Sequence, residues 1–185
     1  MIFVYGGASC GKSEYAENLA LNYDKRVYLA TMKIYDNTDR AKVKAHQRMR
    51  SGKGFRTIEC PYNIQKIYVE YNEAVLLECL SNLLANEIFS PTCQNEDDIS
   101  DAICTEKADK LYDNILELNM KCRELIVVGN DIFAQTYGFS KAVLLYMKAL
   151  LYLQNKLIKH ADKAIEIICG IPTYCTEKIL TGGNL

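Results

Sequence analysis

Short apolar runs alternate along this chain with longer segments of three-to-four-residue hydrophobic spacing. Met1-Ile2-Phe3-Val4-Tyr5 is an unbroken apolar run of the kind that buried parallel strands carry. Glu14 to Leu21 follows with Tyr15, Ala16, Leu19 and Ala20 on one side, which predicts a helix. Lys25 to Thr31 predicts a second strand and Asp39 to Met49 a polar helix. Phe55 to Cys60 predicts a brief extended segment, ended by Pro61. Ile64, Ile67, Tyr68 and Tyr71 have helical spacing and predict a helix from Ile64 to Tyr71. Ala74 to Leu80 is an apolar run with Glu78 embedded in it, and Ser81 to Phe89 continues as a helix. Ser90 to Ser100 reads as an exposed acidic loop. Ile103 to Met120 predicts a long amphipathic helix with Ala108, Leu111, Tyr112, Ile115 and Leu118 inward. Glu124 to Asn130 is another buried strand, followed by a loop from Asp131 to Gly138 and a Leu- and Tyr-rich helix from Ser140 to His160. Ala164 to Gly170 predicts a last strand that Ile171-Pro172 ends, leaving Thr173 to Leu185 as a tail. Alternating strands and helices predict an α/β fold, a mostly parallel central sheet with helices on both faces.

Between the first strand and the first helix stands Gly6-Gly7-Ala8-Ser9-Cys10-Gly11-Lys12-Ser13, a match to G-x-x-x-x-G-K-[ST] in its required strand–loop–helix context. Glycines let backbone N–H groups turn toward an anion, and the helix start adds unpaired N–H groups and partial positive charge. Lys12 is expected to reach the β/γ-phosphates and the Ser13 hydroxyl to bind Mg²⁺. Ligands collect at the carboxyl ends of strands in such sheets, so Ala30, Thr31 and Met32 are candidate nucleotide contacts. Glu78, an acid at the end of a buried strand, needs a cation or donors. It is the candidate second Mg²⁺ residue beside Ser13. The alternative for Glu78 is a carboxylate satisfied by helix N–H groups.

The chain has 185 residues, enough for one compact domain spanning 1–185. Net charge is −1, which gives no electrostatic footprint for DNA or RNA. No apolar stretch is long enough to cross a membrane. An N-terminus running straight into the first strand leaves no room for a signal peptide, and the expectation is a cytoplasmic protein. Eight cysteines without a C-x-x-C spacing read as unpaired thiols rather than a zinc site. Cys10, inside the phosphate loop, is the one exposed to consequences of oxidation. His160 reads as a helix-end or surface residue.

The set of motifs resembles the bifunctional adenosylcobinamide kinase / adenosylcobinamide-phosphate guanylyltransferase family of cobalamin assembly. The opening resembles that family's strand–GGARSGKS–helix, with Ser9-Cys10 in place of Arg-Ser. Val27 to Met32 resembles its YIAT strand end. Lys42 to Arg50 resembles its R-I-x-x-H-x-x-x-R motif, with Lys42 for the Arg, and Phe55 to Glu59 resembles W-R-T-x-E. Of the family's T-N-E-V-G-x-G-I-V-P loop, Asn130 and a shortened acid, Asp131, survive in the stretch Val128 to Tyr137; its F-R-D falls on Tyr146-Met147-Lys148, and its N-Q pair on Gln154-Asn155. Ala161-Asp162 and Gly170-Ile171-Pro172 match.

The resemblance implies a RecA-like phosphate-loop domain and two reactions at one site. ATP or GTP phosphorylates the aminopropanol hydroxyl of adenosylcobinamide. GTP then guanylylates His46, and GMP passes to adenosylcobinamide phosphate. Implied catalytic residues are His46 and Lys12. Implied nucleotide contacts are Gly6 to Ser13, Ala30, Thr31, Met32, Gln47, Arg48, Met49, Arg50, Glu59 and Glu78, with Ser13 and Glu78 at Mg²⁺. The implied partner is a small corrinoid, and the implied assembly a homotrimer. Two other readings stand beside this one: a small-molecule kinase without guanylyl transfer, and a non-catalytic nucleotide-binding domain. A covalent GMP adduct excludes the first, and turnover of a corrinoid excludes the second.

Overall fold

The computed structural model describes residues 1–33, 52–90, 98–133 and 138–177. The strands are β1 (Ile2–Gly6), β2 (Lys25–Ala30), β3 (Phe55–Glu59), β4 (Glu73–Glu78), β5 (Glu124–Asn130), β6 (Lys163–Ile168) and β7 (Ile171–Glu177). The described helices are α1 (Lys12–Ala20), α2 (Leu80–Ile88), α3 (Asp101–Lys121) and α4 (Lys141–His160). One sheet holds all seven strands in the order β3-β2-β4-β5-β1-β6-β7. Every pairing is parallel except that of β6 with β7.

The central strands are apolar on both faces because both faces are covered. Alternate residues Ile2, Val4, Tyr28, Leu76, Ile126, Val128, Ile165 and Ile167 pack with Ala16 and Ala20 of α1. The intervening residues Phe3, Val27, Leu29, Val75, Leu77, Leu125 and Val127 join α2, α3 and α4 in a larger core. Leu111, Ile115 and Leu118 of α3 and Leu150, Leu153 and Leu157 of α4 belong to that core. Ser100 and Ser140 cap α3 and α4, each side chain accepting from the N–H three residues on.

Two expectations are corrected. Ile64 to Tyr71 is not a helix: only Ile64–Lys66 forms a 3₁₀ turn, and Tyr68 and Tyr71 are exposed. The Gln65 carbonyl, which an α-helix would offer to the N–H of Val69, accepts instead from Lys121 Nζ at 2.7 Å. The segment after Pro172 is not a tail either. β7 folds back antiparallel on β6 through a two-residue turn, Cys169-Gly170, with φ of 50° and 81°. Positive φ at both turn positions suits the right-handed twist of the strands. Pro172 is tolerated because β7 ends the sheet, where a missing N–H breaks no second ladder.

The expected helix 39–49 lies outside the described residues, as do most of the 90–100 loop, part of the 131–138 loop and residues 178–185.

Candidate active site

β1 ends at Gly6, and the chain turns through Gly7 to Gly11 into α1. A Cβ on Gly6 would lie 2.5 Å from the Ile167 carbonyl oxygen and 2.7 Å from Cys10 Sγ, so only glycine lets the loop leave the sheet here. Gly11 has φ of +93°, and Ser9 also takes a left-handed conformation. The Cys10 carbonyl accepts from Gly170 N at 2.8 Å, which pins the loop to the β6–β7 turn. Among the described residues no side chain caps α1, so its first N–H groups remain open to an anion. Lys12 is buried except for 8% of its surface, and its Nζ donates to the Gly7 carbonyl at 2.8 Å. The ammonium thereby arches across the loop that precedes it.

Glu78 closes the site from below. β5 separates β1 from β4 along with the sheet's register, and Glu78 sits at the end of β4. Ser13 Oγ donates to Glu78 Oε1 at 2.5 Å, and Tyr28 Oη donates to Oε2 at 3.0 Å. The half-buried acid is thus satisfied by two hydroxyls rather than by helix N–H groups. Two hard oxygens meeting beside a phosphate loop form the donor set that Mg²⁺ takes.

Ala30 and Met32 are half-buried at the carboxyl end of β2, and Glu59 is exposed beside Ala30 at the end of β3. Thr31 is fully buried. Its Oγ1 donates to Cys79 O and accepts from Cys79 N, both at 2.8 Å, which braces β2 against the end of β4. Asn86 of α2 donates to Thr31 O and Pro61 O at 2.8 and 3.0 Å. His46, Gln47, Arg48, Met49 and Arg50 lie outside the described residues. His160 is exposed, against Tyr112.

The described structure therefore brings together Gly6 to Ser13 and Glu78, with Ala30 to Met32 and Glu59 along the same sheet edge. The family model for cobinamide kinase / cobinamide phosphate guanyltransferase matches residues 2–175. The chain belongs to this family. It is similar to the bifunctional adenosylcobalamin biosynthesis protein CobU of Salmonella typhimurium, 30% identical over 139 residues, covering 71% of this chain and 75% of that protein. It is equally similar to the protein of the same name from Escherichia coli, with the same identity and coverage. Family membership makes this a P-loop NTPase fold. It assigns kinase and guanyltransferase activity in adenosylcobalamin synthesis.

Sequence reasoning missed Tyr28, Lys53 and the ion-pair role of Arg56, which fix the site's frame. Tyr28 shares with Leu76 and Ile126 the sheet face that α1 covers, a parity the strand alternation already contains. Lys53 pairs with the buried Glu17 of α1. Arg56 makes a two-pronged pair with the buried Glu73, at 2.7 and 2.9 Å. Burial alone would raise the Glu73 carboxyl, but Arg56 and the Glu70 N–H outweigh it and hold the group below the usual carboxylate range. No local pattern announces a pair that joins β3 to the start of β4.

Proposed function

We propose that one nucleotide site, built on Gly6 to Ser13 and Glu78, serves both the kinase and the guanylyltransferase reactions. The observation that carries this is the Ser13–Glu78 contact beneath an uncapped helix start. Lys12 and the open N–H groups of α1 bind the β- and γ-phosphates. Ser13 and Glu78 would hold Mg²⁺, which offsets phosphate charge when bound.

In the kinase reaction the aminopropanol oxygen of adenosylcobinamide attacks the γ-phosphorus. The bond to the β–γ bridging oxygen breaks, and the nucleoside diphosphate leaves with that electron pair. In the transferase reaction an imidazole nitrogen of His46 attacks the α-phosphorus of GTP and pyrophosphate leaves. A phosphate oxygen of adenosylcobinamide phosphate then attacks that phosphorus, the N–P bond breaks, and adenosylcobinamide-GDP is formed. Neutral imidazole is a competent nucleophile near pH 7, and its phosphoramidate transfers readily. Arg50, four residues on from His46, would share a helix face with it and bind a phosphate oxygen. Gln47, Arg48, Met49, Ala30, Thr31, Met32 and Glu59 complete the nucleotide surroundings in this reading.

We also read the protein as a cytoplasmic homotrimer. Among the described residues no cysteine forms a disulfide, and no described helix is long and apolar enough to cross a membrane. Ile168 and Ile171 on the β6–β7 hairpin are 52% and 67% exposed and offer apolar surface to another subunit.

The test is intact mass after incubation with Mg²⁺ and GTP, on wild type and His46→Ala. The expected result is an acid-labile GMP adduct on wild type alone. Wild type that binds GTP yet gains no mass would refute guanylyl transfer through His46.

A further inference from the structure

Asn130 ends β5, the strand between the one that feeds the phosphate loop and the one that ends in Glu78. In register, Asn130 pairs with Gly6, and Val128 pairs with Glu78. The next residue, Asp131, donates its N–H to Gly6 O at 2.9 Å, so β5 stays locked to the loop's first glycine. No other described strand end is flanked by both catalytic elements.

Two groups of α2 and its start hold the NH₂ of the Asn130 side chain, and a third contact holds its backbone. Nδ2 donates to Ser81 Oγ at 2.7 Å and contacts Cys79 Sγ at 3.5 Å. Ser81 and Cys79 are themselves in contact at 3.1 Å, and Tyr146 Oη of α4 donates to Ser81 O at 3.0 Å. The Asn130 backbone carbonyl accepts from Gln154 Nε2, also of α4, at 3.0 Å. Ser81 and Gln154 are buried, while Asn130 is only half-buried. A rigid, buried frame thus orients one amide whose NH₂ is fully engaged. The oxygen that remains, Oδ1, is an acceptor at the carboxyl edge of the sheet, where ligands of open α/β sheets sit. It cannot serve a phosphate, which brings only acceptors. It suits a hydroxyl donor.

We infer that Asn130 binds the attacking hydroxyl of the alcohol substrate in the kinase reaction, its Oδ1 accepting that O–H and aiming the oxygen at the γ-phosphorus. This rests on the kinase reading above. The amide is too weak a base to take the proton. As the new O–P bond forms and the bond to the bridging oxygen breaks, the proton passes to solvent or to a phosphate oxygen. Asn130 supplies orientation, which makes the attack effectively unimolecular. Guanylylation of the enzyme involves no alcohol, so it does not use Asn130.

The experiment compares wild type, Asn130→Ala and Ser81→Ala in two assays. One follows phosphorylation of adenosylcobinamide by ATP, and the other the rate and extent of GMP adduct formation from GTP. Loss of one neutral hydrogen bond predicts that Asn130→Ala lowers kcat/KM for the alcohol about tenfold, with adduct formation within about twofold of wild type. Ser81→Ala keeps the oxygen but loosens it, and a smaller loss confined to the same assay is expected. This variant also covers the case in which Asn130→Ala does not fold. Equal losses in both assays would make Asn130 structural and overturn the inference, as would an unaltered kcat/KM. A wild type that forms the GMP adduct but phosphorylates no adenosylcobinamide would sink the kinase reading, and the role of Asn130 with it.

Discussion

Glu78 is where the site's chemistry meets a cost in folding. A carboxylate at the end of a buried strand must find partners, and here they are Ser13 and Tyr28. The Tyr28 bond fixes one oxygen so that the other faces Ser13. Tyr28→Phe keeps the ring against Phe55 and removes only that donor. The expected cost is about 1–2 kcal/mol of stability for a hydrogen bond to a charged group. The more telling outcome is a higher Mg²⁺ concentration for half-maximal GTP binding, measured by titration. An unchanged Mg²⁺ requirement would mean that Tyr28 only supports the fold. Gly6 sets a steric limit on the other side of the site. Gly6→Ala puts a methyl group against Cys10 Sγ and against the Ile167 backbone oxygen, which cannot step aside. Overpacking of this kind costs about 1–3 kcal/mol, and the loop must shift off β6. Urea unfolding and GTP titration should both show the loss. GTP affinity equal to wild type would show that the loop tolerates the displacement.

The hairpin of β6 and β7 is the element that braces the phosphate loop from outside the motif. Its turn residue Gly170 donates its N–H to the Cys10 carbonyl, and a methyl group on Gly11 would stand only 3.5 Å from the Gly170 Cα. Farther along, Tyr174 of β7 touches Tyr15 of α1 at 3.4 Å, and burial with this contact lifts the Tyr15 hydroxyl to about 12. Gly170 has φ of +81°, which a β-branched residue takes only under strain. Gly170→Val is therefore expected to lose about 1–2 kcal/mol of stability. It should also weaken GTP binding, because the loop loses its fixed outer support. Calorimetry of GTP binding checks this, and full affinity in a destabilised variant would confine the turn's role to folding. The hairpin was hidden from sequence reasoning because Pro172 reads as a strand breaker. That rule assumes both edges of a strand are paired, and β7 has only one described partner. The false helix at 64–71 failed for the opposite reason. Its spacing was right, but eight residues make a marginal helix, and Lys121 takes the Gln65 carbonyl its ladder would use. By contrast, α3 and α4 were legible because a long period-3.6 stripe leaves few ways to bury it. The phosphate loop was legible because its glycines and Lys12 answer a local geometric demand. Asn130 and Gln154 fall on motif positions, but their convergence with Ser81 from three elements had no local signature.

At the scale of the molecule, charge pairs tie the layers together, and their protonation sets the acid limit of stability. Arg56 with Glu73 joins β3 to β4, and Lys156 with Asp109 joins α4 to α3 at 2.7 Å. The Lys156 hydrogen bond, with a further one from Tyr152, holds the Asp109 carboxyl below its ordinary value. Glu73 is held low as well, by Arg56 and the Glu70 N–H working against burial. A carboxylate depressed in the folded state binds its proton more readily when unfolded. Its contribution is therefore complete above the ordinary carboxylate range, about pH 4–4.5, and fades as pH falls through the folded value. Asp109 and Lys156 lie near the surface, so their share is small and salt-sensitive. Glu73 is 8% exposed and carries most of the effect. Glu73→Gln leaves Arg56 without its charged partner and should cost about 1–3 kcal/mol near neutral pH. It should also flatten the loss of stability below about pH 4.5, since one of the protons that drives acid unfolding is gone. Urea unfolding of wild type and Glu73→Gln across about pH 3–7 separates the two effects. Parallel curves, offset but equally steep in acid, would show that Glu73 does not govern the acid limb. Convergence of the two curves as pH falls is the outcome that its buried pairing with Arg56 requires.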